Sequence, residues 1–239
     1  MPVRSTASAT LALDVKWQRN AATVALALLA VIAGSSASAQ TNPPAVGAAG
    51  AAGAVTAPAV STAGTADYAE RYRTVCAACH GTNGRSELAG VPVLAGQYSL
   101  YTITQLFLYR EGRRKNDAMI AMAKTMTDAD LRGFSNFIGT LAAVPAPTPA
   151  TPPDAVLMSK GQALSNQHKC SYCHGADMAG GQQVPRIGGQ KEDYLRASLH
   201  GYKSGDRPGY TRAMSEALSQ VSAEDLDLLA FYAANLTRK

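Results

Sequence analysis

Cys76-Ala77-Ala78-Cys79-His80-Gly81 and, 94 residues later, Cys170-Ser171-Tyr172-Cys173-His174-Gly175 decide how this chain is read. The two stretches hold all four cysteines of the sequence. Thiols three positions apart lie on one turn and can reach the two vinyl groups of one porphyrin, and the adjacent histidine then points its imidazole at the iron from the same side. This is the attachment pattern of c-type haem. A zinc ribbon also pairs Cys-x-x-Cys units, but it needs no histidine directly after both second cysteines. A redox disulfide expects a strand–helix setting that the sequence lacks. Two such units in register predict two covalently bound haem c groups, held by thioethers to Cys76, Cys79, Cys170 and Cys173.

Outward from these units the chain repeats itself. Val91-Pro92 followed by Gly96-Gln97 matches Val184-Pro185 followed by Gly189-Gln190, and Tyr101, Tyr109, Gly112 and Arg114 match Tyr194, Tyr202, Gly205 and Arg207. Asp130-Leu131 matches Asp225-Leu226, and the offset stays between 93 and 95 residues throughout. That steadiness indicates a duplicated domain, and the period is too long for a solenoid. Thr127-x-x-Asp130 and Ser222-x-x-Asp225 read as capped helix starts. Leu131, Phe134, Ile138 and Leu141 then recur at helical spacing, as do Leu226, Leu229, Ala233 and Leu236. Further helices are expected from about Leu100 to Arg110 and from about Tyr194 to Lys203, stopped by Gly112 and Gly205. With no sustained strand alternation, the fold is predicted to be all-α. Each block has roughly 80 residues, a size that needs a staple such as a covalent cofactor.

The flanks complete the organisation. Residues 1–39 read as a secretory signal: Lys16 and Arg19, an apolar run from Ala21 to Ala33, then Ala37-Ser38-Ala39 before Gln40. The run is short for a membrane span, and no later segment is apolar for long enough, so no integral membrane segment is expected after cleavage. Residues 40–64 carry no charge and few large apolar groups, and read as a flexible leader. Pro145, Pro147, Pro149, Pro152 and Pro153 make 145–153 an extended linker. The two domains are therefore placed at 65–144 and 154–239. The formal charge of the 239-residue chain is +5. Removing residues 1–39 takes away Arg4, Lys16 and Arg19 against Asp14 and leaves +3. This small excess, interspersed with acids, gives no nucleic-acid footprint.

The second axial ligand follows from the repeat. A shift of 95 pairs Met119 with Met214, Met122 with Ala217 and Met126 with Val221, so only the first pair is methionine in both copies. His80 with Met119, and His174 with Met214, are the expected iron ligands. Met122 and Met126 are read as core filler. His168 and His200 have no counterpart in the other copy and are read as surface or core histidines, with His200 a minority candidate for the second iron. Pro92 and Pro185 either make turns or present a backbone carbonyl to the proximal histidine. Arg114, Arg207 and the paired tyrosines fit either propionate contacts or exposed helix-end charges.

In these residues, in Leu94-Ala95-Gly96-Gln97, in Gly112 through Met119 and in Thr127 through Leu131, the chain resembles the bacterial di-haem cytochromes of the c-four type, which fuse two class I cytochrome c domains. The resemblance covers roughly residues 65–239. It implies two tandem class I domains with His/Met haems facing each other near the domain interface. It also implies periplasmic electron carriage between a redox protein donor and acceptor, often towards a membrane-bound terminal oxidase. The second copy departs from the pattern at Ser204 through Tyr210, which lacks the Asn-Asp found before Met119. Six-coordinate iron leaves no open position for substrate, so electron transfer is expected rather than catalysis. The alternatives are a cytochrome subunit of a dehydrogenase or oxidase complex and, at greater remove, a di-haem peroxidase, which needs one opened haem position and nearby acid–base groups.

Overall fold

Helix-forming runs broken at Gly and Pro produce ten helices among the residues described by the computed structural model, 62–144, 151–209 and 211–236. The signal sequence, most of the leader and linker residues 145–150 lie outside the described residues. The first half contains α1 (Thr62–Val75), α2 (Ala77–His80), α3 (Ser99–Arg110), α4 (Asp117–Ala123) and α5 (Asp128–Thr140). The second contains α6 (Ala155–Gln167), α7 (Cys170–His174), α8 (Glu192–Ser204), α9 (Ala213–Ala217) and α10 (Ala223–Ala234). A single bridge between Gly181 and Val184 is the only β pairing among the described residues. The structure thus agrees with the all-α expectation. α1 begins at Thr62, three residues inside the stretch expected to be leader; after Pro58 no proline opposes a helix there.

Each half is built around the crossing of its first and last helices. In the first, α5 packs on α1 and α3, burying Tyr72, Leu106, Leu131, Phe134 and Ile138. In the second, α10 packs on α6 and α8, burying Tyr202, Leu218, Val221, Leu226 and Leu229. Burying one such side chain contributes about 1.5–3 kcal/mol. Leu141 and Leu236, expected to continue the helical stripes, fall just past the ends of α5 and α10. The caps are unequal. Thr127 and Asp130 close a reciprocal box, whereas Ser222 accepts from the Asp225 N–H at 3.1 Å and no bond back to the Ser222 backbone is formed.

The crossings differ in one respect. On α5, Gly133 makes room for the ring of Tyr68 on α1; a Cβ at 133 would overlap that ring. In the second half the small residue sits on the first helix and the large one on the last, where Gly161 of α6 faces Tyr232 of α10. A residue is also added in the second half. Buried Tyr72 precedes Cys76 by four positions, while buried Ser165 precedes Cys170 by five. Lys169, with φ 54°, takes up the extra residue in the left-handed region. Gly84 (φ 76°) has Met178 (φ 55°) 94 residues later. The Met178 carbonyl accepts from Ile187 and Gly188, as that of Gly84 does from Leu94 and Ala95. A side chain in this region costs about 1–2 kcal/mol, and Met178 offsets it by burial, being 2% exposed.

Candidate functional site

In both halves the Cys-x-x-Cys-His unit forms a short helix, α2 or α7, that ends on its histidine. Cys79 and Cys173 are exposed, and Cys76 and Cys170 are half-buried. Burial pushes the Cys76 thiol up to about 11 and raises that of Cys170 as well. His80 and His174 are buried, and burial lowers the basicity of both imidazoles, only partly opposed by a backbone hydrogen bond. That bond joins His80 Nδ1 to the Pro92 carbonyl at 3.1 Å, and His174 Nδ1 to the Pro185 carbonyl at 3.0 Å. A carbonyl only accepts, so Nδ1 carries the proton and the Nε2 lone pair is left for a metal. Of the two readings of Pro92 and Pro185, the structure supports presentation of a carbonyl.

The methionines divide. Met119 packs on the first core together with Cys76, and Met214 on the second together with Cys170. Met119 lies in the first turn of α4, where its N–H donates to the capping Asn116 side chain at 2.9 Å. Arg212, the residue that caps α9 ahead of Met214, makes no such side-chain bond, as expected of the copy lacking the Asn-Asp pair. Met126 packs on the first core as filler, but Met122 is exposed, a correction to its reading as filler: at its position on α4 it faces away from the apolar cluster. His200 Nε2 pairs with Asp227 Oδ1 at 2.7 Å on the surface between α8 and α10, which engages the group in a role other than iron ligation.

Arg114 and Arg207 are not exposed helix-end charges; they are 7% and 9% exposed. Arg114 donates to Gln105 at 2.7 Å and to the Tyr194 phenol at 3.0 Å. Arg207 donates to Ser198, to Tyr101 at 3.0 Å and to Tyr194 at 3.1 Å. Burial alone would raise the Tyr194 phenol, but the two guanidiniums outweigh it and hold it below the ordinary tyrosine value. No carboxylate is among the hydrogen-bond partners of either arginine, and the buried Arg207 Nε has no partner among the described residues. Two buried cations with no carboxylate partner, set on one shared phenol, are costly to bury. The carboxylates of a haem's propionates would supply the missing charge, so this donor set fits the group that the cysteines and histidines call for.

Sequence reasoning left Gln97 and Gln190 without a role, although both were visible in the repeat. The Gln190 amide accepts from the Val93 N–H at 2.8 Å and donates to the Val93 carbonyl at 2.8 Å. Gln97 does the same to Arg186, accepting at 3.2 Å and donating at 2.6 Å. Each half thus inserts a glutamine into the other's proline loop. Asp193 accepts from the Gly90 N–H at 2.6 Å and Lys115 pairs with Asp206 at 2.8 Å across the same junction.

Comparison with known proteins agrees with this geometry. Residues 66–142 and 158–237 each match the Cytochrome c family. A cytochrome c4 of Thiocapsa roseopersicina is 32% identical over 175 residues, covering 69% of this chain and 88% of that protein. A thiosulfate dehydrogenase electron acceptor of Stutzerimonas stutzeri (strain A1501) is 31% identical over 175 residues, covering 69% and 80%. The crystal structure of reduced recombinant cytochrome c4 from Pseudomonas stutzeri superposes with a TM-score of 0.65 at 25% identity, covering 72% of this chain and 98% of that one.

Proposed function

Since the chain belongs to the cytochrome c family, as a di-haem electron-transfer protein of the c4 type built from two tandem class I domains, we propose that it is a periplasmic carrier that takes electrons from a dehydrogenase and passes them towards a membrane-bound terminal oxidase. In this reading export follows signal cleavage before Gln40, and residues 65–144 and 154–239 are the two haem domains. His80 and Met119 hold one iron, and His174 and Met214 the other. The observation that carries the reading is that each half buries a histidine whose Nδ1 is committed to a proline carbonyl, and packs the first cysteine of its Cys-x-x-Cys-His unit and its repeat-paired methionine on one apolar cluster.

Haem bound in this way supplies a one-electron iron couple. The residues around it do the rest. Pro92 and Pro185 fix the tautomer and orientation of the imidazoles. The apolar clusters exclude water, and with a methionine thioether they favour a high potential. Arg114 and Arg207 neutralise propionate charge. A permanent place in a dehydrogenase complex is a second reading, favoured by the relative named as a thiosulfate dehydrogenase electron acceptor. Among the described residues no helix is long and apolar enough to cross a membrane.

An anaerobic redox titration of the exported protein tests the ligand reading. Two low-spin irons, both with the sulfur-to-iron charge-transfer band and positive potentials, are expected; one high-spin or strongly low-potential iron would refute methionine ligation at that site. Size-exclusion of the native protein separates the two roles: a free monomer supports the carrier, and a stoichiometric dehydrogenase partner supports the subunit.

A further inference from the structure

The Pro92 carbonyl and the Val93 N–H belong to one peptide group. The carbonyl end accepts from His80 Nδ1 at 3.1 Å, and the N–H end donates to Gln190 of the other half at 2.8 Å. The Pro185–Arg186 peptide repeats the arrangement: its carbonyl takes His174 Nδ1 at 3.0 Å and its N–H reaches Gln97 at 3.2 Å. Val93 and Gln190 are both buried, so water does not compete for their bonds, whereas Gln97 is buried against a half-buried Arg186. An amide whose N–H is engaged is polarised, and its oxygen becomes a better acceptor, since hydrogen bonds in a chain strengthen one another. A better acceptor at Nδ1 makes the imidazole a more basic ligand.

We propose that Gln190 and Gln97 are positioning residues that act in trans: each tunes the proximal histidine of the other domain through a single peptide group, so that domain docking itself sets the two irons' ligand fields. The proposal rests on His80 and His174 being the iron ligands. The shorter N–H contact makes the pull of Gln190 on His80 the stronger of the two. A glutamine that only packed its own domain would disturb its own haem; one acting through the peptide disturbs the opposite one.

The experiment uses the di-haem protein with Gln190→Met and Gln97→Met, which keep volume and remove the amide. The histidine Nδ1–H resonances are followed by NMR in the reduced state, and both potentials by titration, with signals assigned to their domains through Met119→Ala and Met214→Ala. In Gln190→Met the His80 Nδ1–H is expected to move upfield and the first domain's potential to rise, with His174 and the second potential unchanged. Gln97→Met is expected to give the converse, with a smaller shift. A shift confined to the variant's own domain would overturn the proposal, as would unmoved His80 signals. So would an equal shift in Asp193→Ala, which loosens the same junction without touching the peptide. Absence of Nδ1–H signals from iron-bound histidines in the unaltered protein would instead sink the ligand reading beneath it.

Discussion

The Arg207 guanidinium donates to the phenol of Tyr101, 106 positions earlier in the chain, at 3.0 Å. Arg114 answers from the first half by donating to Tyr194 at 3.0 Å, and Tyr194 is shared with Arg207 at 3.1 Å. The junction between the halves is therefore built on buried charge directed at phenols. A hydrogen bond to a charged group is worth about 1.5–3 kcal/mol. Tyr101→Phe is expected to lower the calorimetric unfolding temperature of the di-haem protein, and Tyr194→Phe to lower it further because two donors lose their acceptor. Equal effects would mean that the shared acceptor carries no extra weight.

Met119→Ala removes the thioether but none of the covalent anchors. Haem content per chain should stay at its native value while the first domain's potential falls and its charge-transfer band disappears. If the band persists, the ligand in that half is Met122 or Met126, and the exposure of Met122 makes Met126 the first to replace.

Asp130 answers to pH. Burial alone would raise its carboxyl, but donors from Thr127 and Arg71 outweigh that and bring it to about 2. A carboxyl lowered on folding stabilises the native state fully above its unfolded value of about 4, and the contribution is lost as pH falls from there through the folded value. Urea midpoints should fall between about pH 4 and pH 2 from this source. Asp130→Asn should remove roughly 1–2 kcal/mol at neutral pH and flatten that acid slope; a slope unchanged in the variant would assign it to other carboxyls.

Gly161→Ala adds one methyl against Tyr232 and the backbone of α10, where nothing flexible can give way. Overpacking of this kind costs about 1–3 kcal/mol, expected as an earlier unfolding transition in the second half with haem content retained. Gly133→Ala should do the same in the first half against Tyr68. A neutral outcome in either variant would mean that the helices can part without loss.

Much of this arrangement was legible from residue order. The two Cys-x-x-Cys-His units and the repeat offset located the haem anchors, the proline loops and the paired methionines, because covalent chemistry and chain spacing are local properties. The burial of Arg114 and Arg207 was not legible, since a charged residue two places past a helix-stopping glycine is normally solvated and only docking of the second half encloses it. Gln97 and Gln190 stood out as repeated residues, yet an amide carries no sign of which backbone it will meet across a junction. The exposure of Met122 and the one-way cap at Ser222 depend on side-chain direction, which periodicity does not specify.

Tandem copies of one fold run a hazard during folding: the first helix of one copy can pair with the last helix of the other. Here the exchange of glycine and tyrosine between the two crossings opposes that error. If α1 paired with α10, Tyr68 would occupy the place of Gly161, where a Cβ already overlaps Tyr232, and the two tyrosines would collide. That crossed product is penalised by clash. The glycine of α6 thus works as a sorting key that keeps the first helix of one copy off the terminal helix of the other.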